Sequence, residues 1–377
     1  MIESLADFKT ATLRLATNLR GWKTRRKLLV IESDDWGAMR MPGPQAWKQL
    51  LQAGVQVDRC RYDSLDCLEN RDDFQALMNV IDAHCDASGR PATFTFNTVM
   101  GNPDFEAIEA DEFRRFHHQQ LFESYHQYYG EDMELDWRAA MEAALIQPQF
   151  HAREHLNVPL WMRDLQSAHL DARVAFRHRF YGLTTTTSSP RQKDYLAAFW
   201  PESVADLESA AERLEDGLSI FRTTFGYDSR SFIPCNYIFP DELQTVVSNK
   251  DVQLLQGQRG QFVPDPTGGS GSIRRSFTGQ NSSSGLKYSV RNVRFEPFED
   301  DSVDWVGRAL NEIAQAFALR TPAIISSHRV NYVGGMSITH RDKCLGLLNQ
   351  LLARIRSRWP EAEFISSDQL LSLMESR

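Results

Sequence analysis

The chain has 377 residues, 42% of them hydrophobic and 24% charged, and a net charge of −8. That acidic balance argues against a nucleic-acid footprint, and no run approaches the ~20 consecutive apolar residues of a membrane-spanning helix. Five cysteines (Cys60, Cys67, Cys85, Cys235, Cys344) without C-x-x-C spacing argue against a disulfide framework and fit a reducing compartment. The N-terminus carries acids early and has no apolar stretch, so it does not read as a signal peptide and a cytoplasmic location is expected.

Residues 1–24 read as a leading helix. It ends in the basic run RGWKTRRK (20–27), a solvated helix end or a contact for phosphate. KLLVIES (27–33) is a short apolar run with β-branched residues at its centre, the pattern of a buried strand. Helical periodicity follows over 44–54 and 71–85, and PATFTFNT (91–98) is a second strand. A polar, aromatic-rich helical insertion is expected at about 104–148, then a helix over 158–170. TTTTSSP (184–190) reads as a loop, and 201–226 as a long amphipathic helix. RSFIPCNYIFPDE (230–242) is a strand leading into a turn, and 252–255 a short buried strand. The Gly- and Ser-rich stretch at about 266–285 is expected to be a mobile loop. A helix at 302–319, a strand at 322–327, a helix at 341–357, a strand at 363–367 and a closing helix complete the chain.

Strand alternating with helix predicts a parallel sheet with crossover helices. The expected fold is a (β/α) barrel of about seven parallel strands, closed or nearly closed, distorted or incomplete, with a helical insertion. No repeat or linker divides the chain, so 1–377 is read as a single domain.

Three features carry chemistry. Asp34 and Asp35 stand where the first strand ends, and barrel chemistry collects at the carboxyl ends of strands. Adjacent carboxylates repel, and burying both is costly unless a cation compensates; alone, the pair reads as a solvated turn or helix cap. QFHAREHLN (149–157) places His151 and His155 four apart, which on a helix puts both imidazoles on one face within reach of one ion. With an Asp upstream this makes a His-His-Asp site, and three protein ligands leave a position open for water, as in catalytic centres. His328 directly follows the strand at 322–327, which places it on the same rim, with Gly334 and Gly335 marking a tight loop beyond.

The order Asp-Asp after strand one, H-x-x-x-H, then a strand-final His resembles the polysaccharide deacetylases, the NodB-homology carbohydrate esterases of the glycoside hydrolase/deacetylase barrel superfamily. The resemblance spans roughly residues 27–370. It implies Asp34 as catalytic base, Asp35, His151 and His155 as ligands of one divalent metal, and His328 as general acid. Zinc is the first expectation, with cobalt, nickel, manganese or iron as other occupants. RSFIPCNYIF matches the family's strand whose backbone N–H holds the oxyanion, at Cys235 or Asn236. There Pro234 fits, but Phe232 stands where an Arg is expected and Cys235 where an aromatic is expected. Arg230 is the substitute offered for the missing Arg. The strand expected to carry an Asp that orients the late histidine reads VQLLQGQRG, with only Asp251 nearby. Arg329 and Asn331, beside His328, are candidate holders of a sugar hydroxyl or phosphate; Trp36 is either a wall of the site or core.

The implied activity is hydrolysis of an N-acyl group (acetyl or formyl) or an O-acetyl group from a carbohydrate, an acylated amino sugar or a sugar-containing intermediate of surface polysaccharide or lipopolysaccharide biosynthesis. Two other readings compete. H-A-R-E-H also fits the H-x-x-E-H zinc peptidase motif, with Glu154 as base and Glu212 or Glu215 as third ligand. The departures at Phe232 and in VQLLQGQRG also allow a barrel that binds sugar without turning it over.

Overall fold

The computed structural model describes residues 5–184, 187, 194–267 and 269–376. Within them β1 (Leu28–Trp36), β2 (Phe94–Val99), β3 (Ile146–Ala152), β4 (Ser231–Phe232), β5 (Leu254–Gly257), β6 (Lys287–Val290), β7 (Val293–Arg294), β8 (Ala323–His328) and β9 (Glu363–Ile365) form one nine-stranded sheet. The order is β6-β5-β4-β3-β2-β1-β8-β7, with β9 also against β1, and every pairing is parallel. Parallel neighbours need long crossovers. Helices such as Arg71–Asp82, Val204–Phe225, Trp305–Ala318 and Ile338–Arg358 supply them.

The two ends of the sheet are joined by the chain itself. β6 and β7 are successive parts of one stretch. Between them Arg291 N–H donates to Gly257 O on the β5 side at 2.9 Å, and Asn292 N–H donates to Ile324 O on the β8 side at 3.1 Å. Taking β6 and β7 as one bent strand and setting β9 aside, the sheet curls into the seven-membered barrel that the sequence predicts.

Alternation along the strands sorts the side chains. Leu29, Ile31, Phe94, Phe96, Phe150 and Phe232 belong to the main apolar cluster under the helices. Inside, Leu28, Val30, Leu254 and Ile324 form a floor, closed by Leu370, Leu371 and Met374 of the helix Ser367–Glu375. Above the floor the interior turns polar. Glu32, Thr95, Gln149, Ser231, Gln256 and Ser289 are buried there and hydrogen-bonded: Gln256 Nε2 donates to Ser231 Oγ at 2.7 Å, and Ser367 Oγ to Glu32 Oε1 at 2.9 Å. Such groups survive burial only because they are paired.

Several expectations are corrected. The helix expected across 149–157 is instead β3 followed by a loop. Its Gln147, Pro148 and Gln149 break the apolar run that marks a buried strand, because Gln149 faces the polar interior and bonds Ser231. β6 and β7 fall where no strand was expected. The Gly/Ser segment is not simply a loop, since Ser272–Arg275 pairs antiparallel with Gly260–Val263. The insertion holds three helices (Phe105–Ala110, Leu121–Tyr129, Glu134–Glu142) and a short strand, His118–Gln120, against Gly101–Pro103, and its last residues already belong to β3. Of the loop expected at 184–190, only Thr184 and Thr187 fall among the described residues; the leading helix spans Leu5–Arg20.

Candidate active site

β1 pairs with β2 at Ser33 and again at Trp36, with a register shift between. Within that shift Asp35 has φ 74, the left-handed region that Asp enters more readily than most non-glycine residues. In an unbroken strand Asp34 and Asp35 would face opposite sides. The bulge re-aims the backbone, and both carboxylates reach the same cavity.

Asp35 Oδ1 lies 3.4 Å from His151 Nε2 and 3.3 Å from His155 Nε2. His151 ends β3 and His155 returns from the loop after it, so strand-and-loop geometry, not a helical face, brings them together. His151 Nδ1 lies 2.7 Å from Ile233 O. A carbonyl can only accept, so Nδ1 carries a proton and Nε2 is the nitrogen turned to the Asp35 carboxylate. Burial lowers His155 to about 3 despite Asp35, so its contact with Asp35 is not an ion pair. Two imidazoles therefore converge on one carboxylate oxygen. Bonds of ~2.0–2.1 Å at tetrahedral angles place ligand atoms roughly 3.3–3.4 Å apart, which matches both separations. The donor set fits one divalent ion. Burial opposes the charge on Asp35, but Arg40 and the histidines hold it well below the usual carboxylate range. Arg40 donates to Asp35 Oδ2 at 3.1 Å and reaches Asp66 at 3.5 Å; Arg329 in turn binds Asp66 and Glu69. This buried row of alternating charges fixes the outer oxygen of Asp35 and leaves Oδ1 facing the histidines.

Asp34 is held differently. Arg291 grips it at both oxygens, at 2.6 and 2.7 Å, and Asn97 Nδ2 donates to Oδ1 at 2.7 Å. Burial alone would raise its pKa, but Arg291 brings it down to about 2. The same guanidinium bonds Glu32 at 2.7 Å and Tyr237 Oη at 3.1 Å. His328 Nε2 stands 3.5 Å from Asp34 Oδ2. Its Nδ1 donates to Glu296 Oε1 at 2.7 Å, and Asn331 Nδ2 holds Glu296 Oε2 at 2.9 Å. Burial pulls His328 down, yet Glu296 overrides it and the imidazole reaches about 9. It is therefore a cation at neutral pH, able to donate from Nε2. Asp34, Asp35, His151, His155, Arg291, Glu296 and His328 open onto a cavity of about 890 Å³ that Tyr62, Asn236, Arg259 and Glu299 also line.

The structure thus gathers Asp34, Asp35, His151, His155 and His328 at one mouth and redistributes the others. Asn236, with φ 54, turns the segment after β4 over the cavity. Cys235 lies behind that wall, fully buried. Asn331 is a positioning residue for Glu296 rather than a sugar ligand. Arg329 has no exposed side-chain surface and is consumed by Asp66 and Glu69. Arg230 sits at the opposite end of the barrel, on Gln253, Ser372 and Glu375. Trp36 is core: it stacks on Phe96 at 3.8 Å and 5°, donates Nε1–H to Ser33 Oγ at 3.0 Å and is 1% exposed. Sequence reasoning missed Arg291, which takes the place offered to Arg230, and Glu296, which orients His328 where Asp251 does not. The alternation Tyr288-Ser289-Val290-Arg291 was the available signal, a strand with one polar face. Glu154 is engaged by Arg153 at 2.6 Å and Arg213 at 3.1 Å, and Glu212 and Glu215 are exposed, so the peptidase roles have no support.

No protein-family model matches the chain, and no curated protein matches it in sequence. Among solved structures it is similar to the peptidoglycan deacetylase PdaC from Bacillus subtilis, at 12% identity over 93% of each chain with a TM-score of 0.33. It is also similar to Puue allantoinase, at 8% identity over 92% of this chain and 90% of that one, TM-score 0.44. A third similarity is to the 4-α-glucanotransferase of Thermococcus litoralis, at 9% identity and TM-score 0.43; it covers 93% of this chain but only 40% of that longer one. Polysaccharide deacetylases are thus among the structural neighbours, but at these scores the likenesses carry no weight for the chemistry, and the site's roles rest on its own geometry.

Proposed function

We propose that the protein is a metal-dependent hydrolase that removes an N-acyl or O-acetyl group from a carbohydrate. The observation that carries this reading is the convergence of two carboxylates of opposite assignment: Asp35 on the His151–His155 pair, and Asp34 on Arg291, beside a protonated His328. Asp35, His151 and His155 would hold a divalent ion, which would supply Lewis acidity and acidify water.

The chain's own groups do the rest. Asp34, kept ionised by Arg291 and fixed by Asn97, accepts the proton of the attacking water. So acidic a carboxyl is a weak base, which suits a water that gives up its proton readily. The water oxygen joins the acyl carbon; Asn236 lines the cavity, and its backbone N–H is the oxyanion donor of this proposal. His328, a cation below about 9, donates from Nε2 to the departing sugar nitrogen or oxygen as the C–N or C–O bond breaks. The product acid and the freed amine or hydroxyl balance the water consumed.

The test is acid release. The metal-loaded protein is incubated with N-acetylated, N-formylated and O-acetylated sugars, and acetate and formate are quantified. Release by the wild type, lowered ~10²–10⁴-fold in Asp34→Asn at unchanged metal content, is expected for loss of a general base. No release from any acylated sugar by the metal-loaded wild type would contradict the proposal and favour a barrel that only binds.

A further inference from the structure

We propose that Cys235 Sγ is a fourth protein ligand of the metal, an inference that rests on the proposed metal site. The Cys235 thiol, one nitrogen of His151 and one of His155 all lie within 4.8 Å of one another. A closed N–metal–S pair, with ~2.0–2.1 and ~2.3 Å bonds at tetrahedral angles, spans roughly 3.6 Å, a difference that small rotations of the thiol and rings cover. The contact of Cys235 Sγ to the His151 carbonyl is long, at 4.0 Å, so the sulfur is not committed elsewhere. His155 Nδ1 is buried and has no hydrogen-bond partner among the described residues, so none of them fixes that ring against a shift toward an ion.

The placement of the thiol explains how a fourth ligand coexists with catalysis. Asp34, Asp35, His151 and His155 line the cavity, whereas Cys235 does not. Sulfur would therefore reach the ion from the protein side, and water or substrate would join from the cavity side as a fifth ligand, an expansion that zinc allows. Pro234 and the left-handed Asn236 (φ 54) bracket Cys235 and hold that segment against the histidines. A thiolate is a soft ligand, so the site selects zinc, cobalt or iron over magnesium, calcium or manganese. It also makes the loaded centre sensitive to thiol oxidation.

Cobalt(II) reports the ligand directly. The full chain is loaded with Co²⁺, and near-ultraviolet and visible spectra are recorded for the wild type, Cys235→Ser, Cys235→Ala and His151→Ala. The expected result is an intense near-ultraviolet thiolate-to-cobalt charge-transfer band in the wild type. Both Cys235 variants lose that band while still binding cobalt, with their visible ligand-field bands changed. Cobalt bound by the wild type without the charge-transfer band, or a band that survives in Cys235→Ser, overturns the assignment and leaves the proposed hydrolase intact. A wild type that binds no cobalt overturns the metal site itself and this inference with it.

Discussion

The pair formed by His328 and Glu296 sets the proton inventory of the site, and Glu296→Gln isolates it. The substitution keeps the shape and the oxygen that accepts from Nδ1 but removes the charge. In the wild type His328 reaches about 9 from an ordinary 6.5, even though burial pulls the other way. That rise corresponds to about 3 kcal/mol of preference for the imidazolium. Without the Glu296 charge, we predict a fall to about 6.5 or below, because burial is then opposed mainly by the Asp34 and Asp35 charges. At pH 7.5 the protonated fraction would drop from about 97% to about 9%, so turnover that needs the acid falls roughly tenfold from population alone. The sign for stability follows: a raised folded pKa contributes stability in full below about 6.5, and this is lost as pH rises through about 9. Wild-type stability should decline across that window and the variant's should stay flat. The assay is an NMR pH titration of ring-labelled histidine, with His328→Gln assigning the resonance and urea unfolding at matched pH values alongside. A His328 that titrates near 9 in both proteins refutes the reasoning.

Other outcomes follow from the same geometry. Asp35→Asn should lose metal affinity, whereas Asp34→Asn should keep the ion and lose turnover; equal metal loss in both, measured by elemental analysis, contradicts the division of roles. Arg291→Met leaves Glu32 and Asp34 buried without their shared cation, and breaking such a pair costs about 3–5 kcal/mol; urea denaturation that shows less than ~1 kcal/mol of loss would contradict a buried, fully charged Arg291–Asp34–Glu32 group. Trp36→Ala should cost about 3–5 kcal/mol as a core truncation with little change in the KM for substrate; a large rise in KM at unchanged stability would restore Trp36 to the wall of the site.

The proposed catalytic set was legible because its residues punctuate strand ends: Asp34 and Asp35 close β1 and His328 closes β8, and an apolar run ending in a polar group is visible in sequence. His151 and His155 were found by their spacing, although the helix invoked for it does not exist; a strand end and the loop after it bring the rings just as close. The supporting residues were not legible. Arg291 lies in a bent strand whose halves, Lys287–Val290 and Val293–Arg294, pair with different neighbours, so neither half carries a full strand pattern. Glu296 lies just beyond that strand, and only the tertiary fold brings it to His328 from 32 residues away. Arg230 and Arg329 misled because chain proximity to a motif says nothing about which end of a barrel, or which buried carboxylate, a long side chain reaches.

The central claim is the metal. Elemental analysis of the untagged wild type beside a His151→Ala/His155→Ala variant tests it most directly. The account predicts about one divalent ion per chain in the wild type, lost in the variant. No ion in either protein, even after dialysis against zinc or cobalt, would contradict it.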